Sequence, residues 1–382
     1  GTCWWLTFAP ITYAGFPASL TYALMFCVTS TVAIFPGIFA SVLSFLLARL
    51  GPSAILTAPA VWVFSEFLRY WLTGNNWNAL GYSQAFTDLS RIELAGVGGM
   101  SLVSFYCVFW SAKLVGFIFM MTGRAGWKPL LAYVLILQPF FFFASRPYEK
   151  PPARIAEASV AVLQPNVPMS GLTAEKWNEL RNRHVVLAEL ALSRSPATDH
   201  RLPTTVIFPE SPMNFMYEDE PETRELINGF AAKHDVSVLF NSAEPDYSNN
   251  KYFNSAVLVG PEGKEVVQYD KIYLVPFGEA VPWPLEGVLP GFVGNFSYGR
   301  EYDLLPLGEA KAGVMICFES HFGQLSRQYV LNGADVIIEM TNDGYLGPTP
   351  VLRQHLANAV FRAVETNRPV LRVTNVGITA YI

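Results

Sequence analysis

Three side chains of the kinds used in covalent catalysis each follow a short apolar run in the second half of the chain. They are Glu210, Lys271 and Cys317. A thiolate can attack a carbonyl carbon, a carboxylate can take the thiol proton, and an ammonium can stabilise the oxyanion that forms. Because each of them lies at the end of a strand-like run, a sheet could bring the three together. The spacing therefore predicts a covalent acyl-transfer site.

Cys317 is the only one of the four cysteines that lies after residue 145. A buried cysteine is most often inert packing, so the residue type alone says little. Its position between a strand-like run and a turn favours catalysis, because such a turn exposes the side chain and directs the following backbone N–H groups at an oxyanion. Phe318 would supply one of these N–H groups. With no second cysteine in this half, the thiol is expected to be free.

Glu210 and Lys271 also have ordinary interpretations, as a solvent-facing strand end and a surface lysine. The apolar neighbours of Glu210 could bury it and raise its pKa toward neutrality, as a general base requires. Lys271 lies between Tyr269 and an apolar run, so it could point inward. His321 is close to Cys317 in sequence, and a Cys–His pair is a minority alternative. No His, Cys and Asp cluster has metal-ligand spacing, so neither a metal nor a cofactor is expected.

The composition indicates that part of the chain lies in lipid. The 382 residues are 51% hydrophobic and only 15% charged, whereas soluble domains carry about 25% charged residues. The net charge of −5 and the lack of a basic cluster argue against nucleic-acid binding. Charges are scarce before residue 145, where the basic residues are Arg49, Arg69, Arg91, Lys113, Arg124 and Lys128 and the acidic residues are Glu66, Asp88 and Glu93.

Long apolar runs in residues 1–145 predict membrane-spanning helices, since a span needs about 20 mostly apolar residues. The chain begins at Gly1 inside an apolar stretch, so 1–17 could be the remnant of a further span and earlier spans are expected to be missing. A soluble core rarely supplies several charge-free runs of this length in succession. Four spans are predicted: Thr21–Leu47, Gly51–Leu72, Leu94–Met121 and Pro129–Ser145.

The distribution of basic residues predicts the orientation of these spans. The loops near Arg49 and around Arg124 and Lys128 are basic, whereas 74–88 contains no Lys or Arg. Cytoplasmic loops carry the excess of basic residues. The segment after Ser145 should therefore emerge on the opposite side, which places the polar half outside the cytoplasm.

The polar half alternates strand-like and helix-like segments, which is typical of a layered α/β fold. A proline-containing linker, 146–157, separates it from the membrane half, 1–145, and the second domain occupies 158–382. Helix-like segments are Glu175–Ser193, Glu220–His234 and Leu352–Asn367. Strand-like runs are Ala158–Leu163, Thr205–Phe208, Val236–Asn241, Ser255–Val259, Ala312–Ile316, Val336–Met340 and Val370–Val373.

Several short motifs follow one another in order along the chain. They are Trp62-x3-Glu66-x2-Arg69, Leu80 to Gln84, Pro209-Glu210, Tyr269 to Pro282, Ile316 to Glu319, Thr341-Asn342-Asp343, Arg362-Ala363-x-Glu365 and Arg368 to Gly377. By these motifs the chain resembles the nitrilase superfamily of carbon–nitrogen hydrolases, and its membrane half resembles the apolipoprotein N-acyltransferase family within it. One such motif would be weak evidence, but this many in order are specific. The departures from the family pattern include Tyr345-Leu346 and Asn75-Asn76, and the family's last helix is expected to be missing.

The resemblance implies a fold and a set of residue roles. The fold is a polytopic α-helical membrane domain followed by a nitrilase-like αββα sandwich. Glu210 is then the general base, Lys271 the oxyanion lysine and Cys317 the nucleophile. The auxiliary carboxylates are Glu279 near the lysine and Glu319 beside the thiol, and the residues expected around the substrate are Trp177, Asn254 and Tyr345.

The implied reaction moves an acyl chain from a membrane phospholipid, through a thioester on Cys317, to the α-amine of a diacylglyceryl-cysteine at the N-terminus of an apolipoprotein. The enzyme is expected to be a monomer in the bacterial inner membrane, with the catalytic domain on the periplasmic side. The alternative is a membrane-tethered amidase that uses water as the acceptor. A non-catalytic scaffold is disfavoured because Glu210, Lys271 and Cys317 are all present.

Overall fold

A computed structural model describes residues 3–87, 89–144, 157–171, 173–193, 204–210, 215–281 and 295–382. The predicted linker 146–157, apart from its last residue, lies outside these ranges, so the three-part division of the chain stays a prediction. The described residues form two compact units. A helical unit lies within Gly1–Pro151 and includes Thr349–Asn367, and an α/β unit lies within Pro152–Pro348 and includes Arg368–Ile382.

Three helices of the helical unit are long and apolar enough to cross a membrane. They are α2, α5 and α6, of 33, 27 and 18 residues. At about 1.5 Å per residue, even the shortest approaches the roughly 30 Å of a hydrocarbon core. The helices of this unit are α1 (Phe8–Thr12), α2 (Ala18–Leu50), α3 (Ala58–Thr73), α4 (Leu89–Ile92), α5 (Ala95–Met121), α6 (Trp127–Ala144) and α10 (Val351–Thr366).

The prediction of one continuous membrane-spanning helix over Gly51–Leu72 is wrong. This stretch is a 3₁₀ helix, Pro52–Thr57, followed by α3, which has only 16 residues. Proline lacks an N–H, and Pro59 lies where the 3₁₀ helix changes to α3, so its missing hydrogen bond falls at the junction of the two helices. The described part of 1–17 likewise contains only a short 3₁₀ helix and the five-residue α1.

Two charged residues of α3, Glu66 and Arg69, hold the loop that follows this helix. Glu66 is buried, and its Oε1 accepts hydrogen bonds from Trp62 Nε1 at 3.0 Å and from Leu80 N at 2.8 Å. Arg69 donates to Asn76 Oδ1 at 3.1 Å. The charges that interrupt this apolar segment therefore have a structural role in the helical unit.

The α/β unit contains two mixed sheets. In the first, the order is β1-β2-β3-β4-β5 with β6 beside β4, and β1, β2 and β3 run parallel. In the second, the order is β11-β10-β9-β8-β7, and β8, β9 and β10 run parallel. The strands are β1 (Val160–Val162), β2 (Thr205–Ile207), β3 (Ser237–Asp246), β4 (Lys251–Val259), β5 (Glu265–Asp270), β6 (Phe296–Ser297), β7 (Leu304–Leu307), β8 (Ala310–Ile316), β9 (Val336–Thr341), β10 (Val370–Thr374) and β11 (Ala380–Tyr381).

Helices cover both sheets, which confirms the layered α/β prediction. The remaining helices are α7 (Ala174–Ser193), α8 (Pro221–His234) and α9 (Gly323–Leu331). Side chains from α7 and α8 share one buried cluster with alternate residues of β3 and β4. On the second sheet, Tyr329 of α9 lies against Gly313, where a Cβ atom would come within 2.4 Å of the ring, and its hydroxyl donates to the Val314 carbonyl at 2.6 Å. Only glycine permits this approach.

Candidate active site

Cys317 begins a 3₁₀ helix, Cys317–His321, at a sharp turn directly after β8, and the residue as a whole is partly exposed. Its φ is +52°, a region that residues other than glycine rarely adopt and that costs about 1–3 kcal/mol. Such strain persists only where the surroundings hold it. The predicted strand-to-turn position of the thiol is therefore confirmed, together with a conformation typical of functional sites.

Glu319 holds this turn in place through hydrogen bonds to both of its carboxylate oxygens. The carboxylate is fully buried, and its Oε2 accepts from Ile316 N at 2.8 Å. Its Oε1 accepts from the Tyr269 hydroxyl at 2.8 Å, from Ile272 N at 2.7 Å and from Tyr273 N at 3.1 Å. One side chain thus fastens the cysteine turn to the segment that carries Lys271. Burial raises the pKa of Glu319 to about 7 although these donors oppose the shift.

We expect Glu319→Gln to destabilise the protein by about 1–3 kcal/mol. Both oxygens of Glu319 accept from buried backbone N–H groups, and glutamine puts an NH₂ group, which cannot accept, in place of one of these oxygens. Since the folded pKa is raised, the contribution of Glu319 to stability is fully present below its unfolded pKa of about 4.3 and declines as the pH rises through about 7. The difference in thermal unfolding temperature between the wild type and Glu319→Gln should therefore become smaller from about pH 5 to about pH 8. Glu309→Gln, at an exposed turn, is the control; equal unfolding curves for both variants would contradict the role.

Lys271 directly follows β5 and is fully buried. Its Nζ lies 2.8 Å from Glu279 Oε1 and 3.9 Å from Glu210 Oε1. Burial lowers the pKa of the ammonium, but the two carboxylates outweigh that effect and raise it. Glu279 is held in turn by Val275 N, which donates to its Oε2 at 2.7 Å. The lysine therefore stays charged at neutral pH and is fixed in position.

Asn254, on β4, connects the two carboxylates. Its Nδ2 donates to Glu279 Oε1 at 2.7 Å and to Glu210 Oε1 at 3.3 Å. Its Oδ1 accepts from Asn241 Nδ2 at 2.7 Å, which sets the orientation of the amide. The resemblance implied a substrate contact for Asn254, and the structure places its amide on the carboxylates that surround Lys271.

Glu210 follows β2 and contacts the thiol. Its side chain hydrogen-bonds Cys317, and its Oε2 accepts from Asn342 N at 3.2 Å. Burial raises the pKa of Glu210, Lys271 opposes the shift, and Glu279 adds to it. Burial and the nearby Glu210 also raise the pKa of the Cys317 thiol. The sulfur is therefore protonated at rest, with a carboxylate of raised basicity next to it.

The remaining predicted residues, Phe318, Trp177 and Tyr345, lie on three different elements. Phe318 follows the thiol, and its ring packs against His321 and Phe322 with centroid separations of 5.0 and 5.2 Å. Trp177, on α7, is half-buried against the core of the first sheet. Tyr345 is exposed in the turn Asp343–Leu346. No group of three His, Cys, Asp or Glu side chains that could hold a metal ion occurs in the described ranges.

A buried ionic network behind the site was not predicted. Arg372 of β10 pairs with Glu339 of β9 and donates to Asp343 Oδ2 at 2.7 Å, and all three side chains are inaccessible to solvent. Asn375 Nδ2 donates to Asn342 Oδ1 at 3.2 Å. Opposite charges that interrupt the apolar runs of two strands were the available signal, since Arg372 and Glu339 are direct partners in the parallel register.

Comparison with known proteins matches both halves of the chain. The carbon–nitrogen hydrolase profile matches residues 159–382, and the profile of the apolipoprotein N-acyltransferase N-terminal domain matches residues 1–113. Among solved structures, a nitrilase-superfamily protein of Saccharomyces cerevisiae has 18% identity and a TM-score of 0.43, over 58% of this chain and 78% of that one. A carbon–nitrogen hydrolase from Helicobacter pylori G27 also has 18% identity, with a TM-score of 0.40, over 53% and 70%.

Curated relatives match over nearly the whole chain. An apolipoprotein N-acyltransferase of Geobacter metallireducens is 32% identical over 400 residues, which cover 100% of this chain and 74% of that protein. The apolipoprotein N-acyltransferase of Allorhizobium ampelinum is 30% identical over 99% of this chain and 72% of its own length. The chain therefore belongs to the apolipoprotein N-acyltransferase family of the carbon–nitrogen hydrolase superfamily.

Proposed function

We propose that this protein transfers an acyl chain from a membrane phospholipid to the α-amine of the diacylglyceryl-cysteine of an apolipoprotein. The observation that carries the proposal is that Glu210 lies beside both the Lys271 ammonium, at 3.9 Å, and the Cys317 thiol, in a chain whose other half contains three apolar helices of membrane-spanning length. The family match supplies the acceptor class, since the curated relatives are named apolipoprotein N-acyltransferases.

In the first half-reaction, Glu210 takes the proton of the Cys317 thiol as the sulfur attacks the ester carbonyl of the phospholipid. The carbonyl oxygen becomes an oxyanion, which the Lys271 ammonium and the Phe318 N–H stabilise. The tetrahedral intermediate collapses by breaking the bond to the glycerol oxygen. Glu210 returns the proton to that oxygen, so a lysophospholipid leaves and the acyl chain remains on the sulfur as a thioester.

In the second half-reaction, the neutral α-amine of the acceptor attacks the thioester carbonyl. The same oxyanion site serves again, Glu210 takes a proton from the nitrogen, and the carbon–sulfur bond breaks. The products are an amide and the free thiol, which regains a proton from Glu210. Glu279 and Asn254 take part by holding Lys271 and Glu210, since they contact those groups directly.

The cellular setting forms part of the same proposal. The protein lies in the bacterial inner membrane as a multi-pass monomer, with the catalytic unit on the periplasmic side. The basic residues Arg124 and Lys128, at the connection between α5 and α6, support this orientation through the positive-inside rule, because α6 then ends on the periplasmic side. Both substrates are lipids that do not leave the bilayer readily, which accounts for a catalytic unit joined to membrane helices.

The test compares phospholipid alone with phospholipid plus a diacylglyceryl-cysteine peptide. We expect acylated Cys317 to accumulate with phospholipid alone, detected as a mass increase on the peptide that contains it, and to disappear when the peptide acceptor is added. N-acylated peptide should appear in equal amount. Rapid release of free fatty acid without an acceptor would overturn the transferase proposal and support a water-using amidase, because a hydrolase must admit water to the same thioester.

A further inference from the structure

Thr341 lies beside the nucleophile because two parallel strands end together. Ile316, the last residue of β8, is paired with Met340 of β9, so Cys317, which follows β8, comes next to Thr341, the last residue of β9. Thr341 is fully buried, and its hydroxyl lies within hydrogen-bonding reach of Cys317. None of the roles described above involves this hydroxyl.

The second neighbour of the Thr341 hydroxyl is a carboxylate that it contacts only weakly. Its Oγ1 lies 3.4 Å from Asp343 Oδ1, whereas strong O–H···O bonds measure about 2.7–2.8 Å. Asp343 is held through its other oxygen by Arg372 at 2.7 Å, and Arg372 is paired with Glu339. The acceptor is thus fixed, and the long bond leaves the hydroxyl able to turn toward a stronger acceptor.

We propose that Thr341 is a further catalytic residue, whose hydroxyl turns from Asp343 to donate a hydrogen bond to the Cys317 thiolate once Glu210 has taken the thiol proton. This inference rests on the proposed function of the site. The step moves one proton from sulfur to the Glu210 carboxylate, and the Thr341 O–H bond stays intact. Asp343 loses only the long contact and keeps its bond to Arg372.

The need for such a donor follows from the burial of the sulfur. Burial and the nearby Glu210 raise the pKa of the Cys317 thiol, and Lys271 opposes them. A hydroxyl that donates to the thiolate favours the charged form and partly offsets the loss of solvent. The same hydroxyl would also favour departure of the thiolate when the acceptor amine displaces it in the second half-reaction.

The experiment follows alkylation of Cys317 by iodoacetamide as a function of pH in the full-length chain in detergent. Only the thiolate reacts, and mass spectrometry separates Cys317 from the other three cysteines. Thr341→Val keeps the shape without the hydroxyl, and Thr341→Ser keeps the hydroxyl. Because hydrogen bonds to charged groups contribute about 1.5–3 kcal/mol, we expect alkylation below the thiol pKa to slow by about tenfold to a hundredfold in Thr341→Val, and to remain near wild type in Thr341→Ser.

The outcomes separate the hydroxyl from mere packing. Equal rates in Thr341→Val and wild type, or equal losses in Thr341→Val and Thr341→Ser, would overturn the proposal. If Thr341→Val does not fold, the pair Thr341→Ser and Thr341→Ala makes the same comparison, since these variants differ by the hydroxyl alone. Because alkylation needs no phospholipid or acceptor, failure of acyl transfer in the wild type would count against the proposed function and leave this readout intact.

Discussion

Replacement of Cys317 by alanine is expected to abolish acyl transfer, with a fall of about 10⁶-fold in turnover, as removal of a catalytic nucleophile commonly produces. The side chain is the only group in the site that can form the thioester, and its turn is held by Glu319 rather than by the thiol. Thermal unfolding should therefore stay near wild type. Activity is measured as N-acylation of a diacylglyceryl-cysteine peptide in detergent with added phospholipid.

The control for Cys317→Ala is Cys107→Ala, which removes a thiol from α5 in the helical unit. This variant should retain nearly full activity. Turnover near the wild-type rate in Cys317→Ala would show that no thioester on this residue is required and would remove the covalent mechanism.

Glu210→Gln is expected to block formation of the thioester and to lower its rate by about 10²–10⁴-fold, the range typical for loss of a general base. Glutamine keeps the size of the side chain and an oxygen that can accept from Asn342 N, but it cannot take the proton from Cys317. The measurement is the rate at which the acyl-Cys317 mass appears after addition of phospholipid. Glu262→Gln, at an exposed turn, is the control, and normal acylation in Glu210→Gln would remove Glu210 from the role of base.

The pH dependence of Cys317 acylation in the wild-type protein should also show that Glu210 acts as the base. The base works only as a carboxylate, and burial raises the pKa of Glu210 above its ordinary value. Acylation should therefore be slow at low pH and rise as the pH increases through that raised pKa, to a plateau above it. Glu210→Gln should lack this rising limb, because no group remains at that position to titrate.

Local sequence signals predicted the elements that carry the site. All seven predicted strands are present, and each apolar run before Glu210 and Cys317 is a strand of a parallel set. This prediction was possible because the carboxyl ends of parallel strands lie at the same edge of a sheet. A polar residue that directly follows an apolar run in the sequence is therefore a candidate for that edge. Contacts between neighbouring strands could not be predicted in this way. The pairing of Arg372 with Glu339 and the position of Thr341 next to Cys317 depend on which strands are adjacent in the sheet, and the local sequence does not indicate that.

The errors in the membrane half have a similar cause. A hydropathy window over Gly51–Leu72 registers an apolar run but not the effect of Pro59 on helical hydrogen bonding. The helical segment Leu352–Asn367 was predicted correctly as a helix, yet its packing partners were not evident. Its apolar positions suit a soluble layer and a helical bundle equally, so its sequence alone does not indicate where it packs.

The packing of α10 has a consequence for any attempt to separate the two halves. Gln354 Oε1 accepts from the Trp77 indole at 3.1 Å, Glu365 Oε1 accepts from Met100 N at 2.9 Å, and Phe361 packs on Tyr82 at a centroid separation of 5.0 Å. This helix connects the strand end at Thr341 to β10 in sequence, but its contacts belong to the helical unit. A fragment cut after the linker would therefore keep α10 but expose the face that contacts Trp77, Met100 and Tyr82 in the helical unit. The α/β unit therefore cannot simply be produced without the membrane half. A water-soluble version would need polar residues on the face of α10 that otherwise packs in the helical unit.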